Sequence, residues 1–263
     1  MQRSPLYTIL FATAVCIVCA IVVSSSAVSL KERQEINAAL QKQRSVLQAA
    51  GLMDPKEKLD AEQVAERFQN IEMEVIDMAT GESAPDIDPA TYDQAKAAKD
   101  PAQSTVAPPN PSLVKRIPNY ALVYKVLDEG GNVEALVLPV EGYGLWKTLY
   151  GFLAIEDDLN TVRGITFSDH GETPGLGGEV DNPRWKSRWV GRTVFGDDGE
   201  PKIEVIKGFA PPPDEAPYEV DGLSGATLTA RGVTNLVHFW LGETGFGPYL
   251  DKLEQQRGSQ ETA

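Results

Sequence analysis

The hydrophobic pattern begins with one long apolar run near the amino terminus. Residues 4–30 contain no charged side chain, and their core, LYTILFATAVCIVCAIVV, covers residues 6–23. About 20 helical residues span a hydrocarbon layer of ~30 Å, so the run predicts one membrane-spanning helix within residues 6–28. Small residues follow at 24–27, which leaves a cleaved secretory signal open as the alternative. Basic residues flank the run on both sides, so charge does not settle its orientation.

Behind this run, the apolar positions follow helical spacing. Residues 31–50 predict a polar helix that ends at Gly51. Asp60 with Gln63 forms a capping-box pattern, and apolar residues at steps of three and four predict a second helix that continues to Met78. The apolar positions of that helix are Ala61, Val64, Phe68, Ile71, Val75 and Met78.

The second half of the chain is dominated by strand-like patterns. Residues 79–111, rich in Ala, Asp, Pro and Ser, predict a long surface connector with one short helix at most. The runs YALVYKVLD and VEALVLPV around the turn EGGN predict a β-hairpin. The further elements expected are strands at 148–155, 161–167 and 203–208, and helices at 182–191 and 230–241.

Strands grouped together with flanking helices predict an α+β fold with a mainly antiparallel sheet. We expect three parts: an anchor at 1–30, a helical segment with its connector at 31–115, and a ligand-binding domain at 116–263.

Charge and cysteine content narrow the function classes. The chain has 24 Lys+Arg against 38 Asp+Glu, a net charge of −14, and no basic cluster of the kind that nucleic-acid binding needs. Its two cysteines, Cys16 and Cys19, both lie in the apolar run. The rest of the chain therefore has no disulfide framework and no thiolate metal site, which suits an oxidising compartment.

Three glycine-bearing segments, at 141–151, 169–180 and 220–233, are the candidates for chemistry. None of them matches the P-loop or the dinucleotide-binding fingerprint, which argues against an NTPase or a Rossmann dehydrogenase. The sequence GLSGA at 222–226 resembles a hydrolase nucleophile elbow, but its last position is Ala226 and a poor strand precedes it.

The two histidines add little to a catalytic interpretation. His170 with Glu172 offers only two metal ligands, and the one other histidine is His238. A hydrogen bond within its own loop explains His170, and a place on an amphipathic helix explains His238.

The residues SGATLT stand just ahead of the helix predicted from Ala230. The free amides and the dipole of a helix N-terminus form an anion site, although a hydroxyl of Ser224, Thr227 or Thr229 that simply caps the helix stays open as the alternative. Trp146 could stack on a flat ring, and the glycine loop around Leu176 would let backbone amides approach the ring edge. Together these segments fit a planar, anionic cofactor with a phosphate tail.

At these residues the chain resembles a known family. DGLSGAT, residues 221–227, is similar to the signature on which a flavin transferase esterifies FMN. GLWKTLYGFLAI and GITFSDHGETPGLGGEV resemble NqrC, a subunit of the Na⁺-translocating NADH:quinone oxidoreductase, and less closely RnfG of the Rnf complex. The resemblance covers nearly the whole chain and is weakest over residues 79–111.

The resemblance implies a covalent FMN on Thr227, held through a phosphoester bond. Thr229 has the same chemistry but lies outside the signature. The elements that the transferase would read are Asp221, Ser224, Gly225 and Ala226. The expected surroundings of the flavin ring are Trp146, Glu172, Thr173, Leu176 and Gly177, with Lys207 as a partner of the phosphate or the ring edge.

The implied function is that of an electron carrier in the bacterial inner membrane, with its domain in the periplasm. Its FMN would pass electrons to a second covalent FMN, carried by the NqrB subunit, within a six-subunit complex that oxidises NADH, reduces ubiquinone and exports Na⁺. Three alternatives remain: an RnfG-like carrier, a flavoprotein sensor without pump partners, and a membrane-anchored binding or scaffold protein in which SGAT is only a helix cap.

Overall fold

A computed structural model describes residues 4–261, which group into two units, residues 1–42 and 43–263. The first helix, α1, runs without a break over Pro5–Ala49, so the predicted apolar helix and the predicted polar helix after it are one element. Apolar side chains such as Ile9 and Val22 are exposed along its first half. By length and composition, α1 is the one helix within residues 4–261 able to cross a membrane.

The second unit begins in the last turns of α1, where Val46, Leu47 and Ala49 are fully buried. The next helix, α2, covers Ala61–Phe68 and starts with the predicted capping box. The carboxylate of Asp60 accepts from the Gln63 amide at 2.9 Å, and the Gln63 side chain accepts from the Asp60 amide at 3.0 Å.

The prediction that this helix continues to Met78 is wrong. It ends at Phe68, and Ile71–Asp77 forms the first strand, β1, which pairs antiparallel with β4, Tyr120–Leu127. The segment IEMEV, residues 71–75, alternates apolar and polar residues, a period-2 pattern that fits a strand. Pairing with β4 supplies hydrogen-bond partners for the backbone, and this tertiary contact outweighs the helical spacing of the apolar residues.

Five antiparallel strands form the main sheet in the order β1-β4-β5-β6-β7. The remaining three are β5, Val133–Tyr143; β6, Thr148–Glu156; and β7, Val162–Asp169. The predicted hairpin and the strands predicted at 148–155 and 161–167 are confirmed, and so is the α+β class.

The connector contains more structure than the sequence indicates. It holds the short helix α3, Gln94–Ala97, and the strand β2, Ser104–Val106, which pairs with β3, Arg116–Pro118. The Tyr92 hydroxyl donates to the Tyr120 carbonyl at 2.7 Å. These contacts hold the connector against the sheet.

Several elements after β7 differ in length from the predictions. Of the helix predicted at 182–191, only α4, Pro183–Lys186, is observed. It follows a 3₁₀ turn at Gly177–Asp181. The strand predicted at 203–208 is only β8, Glu204–Val205, which runs parallel to β9, Glu219–Val220. The helix α5 covers Thr227–Leu241, three residues earlier than expected, and α6, Gly247–Glu261, is an element that the sequence pattern did not reveal.

Helices cover both faces of the sheet. On one face, Leu138 and Leu153 share a core with Leu236 and Trp240 of α5. On the other face, the rings of Phe68 in α2 and Tyr124 in β4 lie 6.2 Å apart, and the end of α1 packs against β7. The N-terminal half of α5 crosses the sheet where β5 ends.

The buried end of α1 should contribute strongly to the stability of the second unit. Replacing the fully buried Leu47 by Ala leaves a cavity, so we expect Leu47→Ala to lower the free energy of unfolding by ~2–5 kcal/mol. Ile36→Ala is the matched control on the same helix because Ile36 is exposed, with an expected change within ~0.5 kcal/mol. Urea unfolding of the full chain in detergent measures both, and equal losses in the two variants would contradict this assignment.

Candidate cofactor site

The N-terminus of α5 carries no side-chain cap. Its N-cap residue is Ala226, and none of the nearby hydroxyls accepts a hydrogen bond from the first turn. The interpretation in which Ser224, Thr227 or Thr229 caps the helix is therefore not what the structure shows. The preceding Gly225 has φ of 69°, a left-handed conformation that favours glycine. The turn thus leaves free helix amides and a positive dipole end available for an anion.

The two threonines of this turn lie in opposite environments. Thr227 is exposed and lines a cleft of about 730 Å³, and within residues 4–261 its hydroxyl has no hydrogen-bond partner. Thr229 is 0% exposed, and its hydroxyl donates to Glu172 Oε2 at 2.5 Å. Of these two threonines, Thr227 is the one whose hydroxyl is accessible to a reactant in solution.

Two cations line the cleft beside Thr227, although the chain as a whole is strongly acidic. Lys207 follows β8, and Arg231 lies one helical turn after Thr227 on α5. Both side chains are exposed, and Ser224 lies on the same wall. Lys207 was expected from the sequence, whereas Arg231 was missed, although its i+4 spacing from Thr227 could have revealed it.

Glu172 connects the three glycine segments. Its Oε1 accepts from the amides of Leu145 and Trp146 at 2.9 and 3.0 Å, and its Oε2 accepts from the Thr229 hydroxyl. The residue is only 5% exposed. Burial raises the pKa of this carboxyl, but the hydrogen bonds from Thr229 and from the backbone amides outweigh it, so its pKa lies below the usual value. Glu172 is therefore an ionised residue inside the domain.

Asp221, at the start of the signature, is also buried and engaged. Its Oδ1 accepts from the Ala210 amide at 2.9 Å, and its Oδ2 lies 3.3 Å from Arg188 Nε. Its carbonyl accepts from the Trp185 indole at 2.8 Å. Asp221 thus connects the loop before α5 to α4 and to the loop that begins at Ala210.

Trp146, Thr173 and Leu176, which were expected around a ring, do not line the cleft beside Thr227. Trp146 is 65% exposed and Leu176 is 44% exposed. A Leu176 methyl group lies 3.0 Å from the place where a Cβ on Gly225 would stand. The Thr173 side chain is exposed, and its carbonyl accepts from the amides that close the glycine loop. The structure brings Leu176 to the turn and leaves Trp146 free to meet a planar ligand.

Both histidines have structural partners. His170 Nε2 lies 2.8 Å from Asp181 Oδ2, and its Nδ1 accepts from the Glu172 amide. His238 Nε2 lies 2.7 Å from the Ile203 carbonyl oxygen. Within residues 4–261, no group of three or more His, Cys, Asp or Glu side chains is arranged to hold a metal ion.

Comparison with known proteins identifies the kind of site. Residues 144–242 match the family described as the FMN-binding domain, and this range includes Trp146, the glycine loop and the whole of α5. The chain is therefore an FMN-binding-domain protein that carries a long apolar helix ahead of the domain.

Relatives over the full length narrow the family. The chain is 45% identical over 251 residues to the NqrC subunit of the Na⁺-translocating NADH-quinone reductase of Yersinia pestis, covering 94% of this chain and 92% of that one. It is 47% identical over 258 residues to the same subunit of the Pseudomonas aeruginosa reductase, covering 97% and 98%. The crystal structure of Shewanella oneidensis NqrC matches with a TM-score of 0.76 at 33% identity, over 83% of this chain and 99% of that one.

The chain belongs to the NqrC family of Na⁺-translocating NADH-quinone reductase subunits, and the resemblance noted in the sequence is confirmed.

The two threonines should differ in their contribution to stability. Thr229→Val keeps the side-chain shape but leaves Glu172 Oε2 without its hydroxyl donor, so we expect a loss of ~1–3 kcal/mol in the free energy of unfolding. Thr227→Val at the exposed position should change it by less than ~0.5 kcal/mol. Chemical denaturation followed by tryptophan fluorescence compares the two, and a larger loss at position 227 would reverse our assignment of their environments.

Proposed function

We propose that this chain is an electron carrier that holds one FMN through a phosphoester bond to the Thr227 hydroxyl. The observation that carries the proposal is the contrast between the two threonines at the start of α5. Thr227 is exposed in a cleft at an uncapped helix N-terminus, whereas Thr229 is buried and donates its hydroxyl hydrogen to Glu172.

The cleft, with a volume of about 730 Å³, suits the phosphate end of FMN in charge, and Trp146 and Leu176 lie outside its lining. The phosphate would meet the first amides of α5, with Lys207 and Arg231 as its cationic partners. The exposed faces of Trp146 and Leu176 would pack against the ring. When bound, FMN supplies the redox chemistry, and these residues supply its position and electrostatic environment.

Attachment requires an activated donor, because ester formation between free FMN and a hydroxyl with loss of water is unfavourable in water. We assign this step to a flavin transferase that uses a flavin dinucleotide. The threonine oxygen bonds to the FMN phosphorus, the phosphoanhydride bond breaks, the nucleoside monophosphate leaves, and the hydroxyl proton is released. Within the signature, Ser224 and Gly225 are exposed to such an enzyme. Asp221 is buried, so its part is to hold the turn in shape.

The proposed setting is a membrane complex. The α1 helix anchors the chain in the bacterial inner membrane, with the domain on the periplasmic side. The absence of cysteine from residues 20–263 of the sequence and the names of the relatives support this setting. Within a six-subunit Na⁺-exporting reductase, the carrier passes electrons to the FMN of NqrB, while NADH oxidation and ubiquinone reduction take place on other subunits.

Intact-mass spectrometry tests the attachment directly. After co-expression with a flavin transferase, the wild-type chain should carry the mass of one FMN minus one water. Thr227→Ala should lose the adduct completely because the accepting oxygen is gone. Thr229→Ala, two residues away, is the matched control and should keep it.

An unmodified wild-type chain under these conditions would refute the covalent carrier. That result would favour the alternative of a membrane-anchored binding or scaffold protein. A flavin adduct on a chain that copurifies with no NADH-oxidising membrane complex would instead favour a sensor.

Arg231 should promote attachment by binding the phosphate of the donor. Losing one charge-assisted hydrogen bond of ~1.5 kcal/mol predicts an initial rate of adduct formation about tenfold lower in Arg231→Ala at subsaturating donor. Arg184→Ala is the control, since Arg184 is exposed on α4 and does not line the cleft. Fluorescence of the denatured chain in gels measures the rate. Equal rates in the two variants would show that Arg231 does not take part in attachment.

A further inference from the structure

The carboxylate of Glu172 is surrounded by donors from segments far apart in the sequence. It takes two amide hydrogens from the β5–β6 turn, 27 and 26 residues earlier, and one hydroxyl hydrogen from α5, 57 residues later. Its own amide donates to His170 Nδ1 at 3.2 Å. A buried residue with this set of partners determines how the three segments lie against each other.

The surrounding backbone is shaped around this carboxylate. A Cβ on Gly144 would stand 2.6 Å from Glu172 Oε1, and a Cβ on Gly177 would stand 2.6 Å from Oε2. Both distances are too short for real atoms, so each glycine permits the approach of a carboxylate oxygen. In two of the three glycine segments, a glycine therefore leaves room for the carboxylate of Glu172 to pack against the backbone.

The charge of Glu172 follows from the same contacts. All partners of its carboxylate within hydrogen-bonding distance are donors, and these bonds hold its pKa below the usual value despite burial. No ion pair within residues 4–261 neutralises it. The negative charge therefore lies in the domain interior and is hydrogen-bonded to Thr229, which is two residues along the chain from Thr227.

We propose that Glu172 is a positioning residue of the flavin site. Its ionised carboxylate holds the Trp146 segment against the start of α5, and it places a fixed negative charge beside the flavin. This inference rests on the proposed function and adds to it a determinant of the flavin potential. A fixed negative charge disfavours the addition of an electron to the ring, so it lowers the midpoint potential.

The positioning part is tested without any cofactor. The full chain is produced in detergent with fluorine-labelled tryptophan and no flavin transferase, and Trp146→Phe assigns the Trp146 resonance among the four. In Glu172→Ala we expect this resonance to shift and to narrow, as the released segment becomes mobile. Glu179→Gln is the matched control in the same loop, since the Glu179 carboxylate bonds to Asn182 instead. An unchanged Trp146 resonance in Glu172→Ala overturns the positioning role.

The charge part is tested on the flavinylated chain by spectroelectrochemical titration. Glu172→Gln keeps the shape but removes the charge, so its midpoint potential should be more positive than that of the wild type. Thr229→Val removes one hydrogen bond and keeps the charge, so it should show no positive shift. Glu179→Gln removes a charge on a half-buried residue that water partly screens, so its shift should be much smaller than that of Glu172→Gln. Equal shifts in Glu172→Gln and Thr229→Val, or no shift in Glu172→Gln, overturn the electrostatic role.

The two tests separate this inference from the proposed function. A wild-type chain that takes up no flavin refutes the carrier, while the resonance of Trp146 still decides whether Glu172 positions its segment. Attachment that is retained, with an unchanged potential in Glu172→Gln, refutes the electrostatic role of Glu172 alone.

Discussion

The hydrogen bonds to the carboxylate of Glu172 are the interaction on which the site depends. The β5–β6 turn, which precedes Glu172 in the sequence, and the first turn of α5, which follows it, both donate to this carboxylate. The glycine loop that carries Glu172 packs closely around the same carboxylate. The same bond to Thr229 withdraws one hydroxyl from solvent and leaves Thr227 as the accessible one. One buried anion thus links the packing of the domain to the burial of Thr229, while Thr227 stays exposed.

The strands of the sheet could be predicted because their side-chain alternation is local. The hairpin of β4 and β5 and the strands β6 and β7 follow the period-2 pattern in the sequence. At β1 two periods overlap, since Ile71, Val75 and Met78 continue the helical spacing of α2 while residues 71–75, IEMEV, alternate. Pairing with β4, some fifty residues later, decides between them. A contact of that range is not visible in a local pattern.

The site was only partly predictable, because some of its features are local in the sequence and others depend on long-range contacts. The glycine segments and the aromatic Trp146 can be read from residue types and spacing, whereas the attachment to Thr227 and the role of Lys207 come from the resemblance to the family. The burial of Glu172 and Asp221 cannot, because it depends on which segments meet after folding. The resemblance places Glu172 beside the ring, and the structure adds that its carboxylate accepts from two amides and a hydroxyl. Arg231 was missed because the start of α5 was expected three residues later.

The proposed carrier would need no acid–base dyad, since its residues would hold a redox group supplied from outside the chain. The most direct test of that account is fragment-ion mass spectrometry of the tryptic peptide 208–231 from the flavinylated protein. This peptide contains Ser224, Thr227 and Thr229 and ends at Arg231. The account predicts that the mass of FMN minus water first appears in fragments that include Thr227. Fragments that place it on Ser224 or Thr229 would contradict the account.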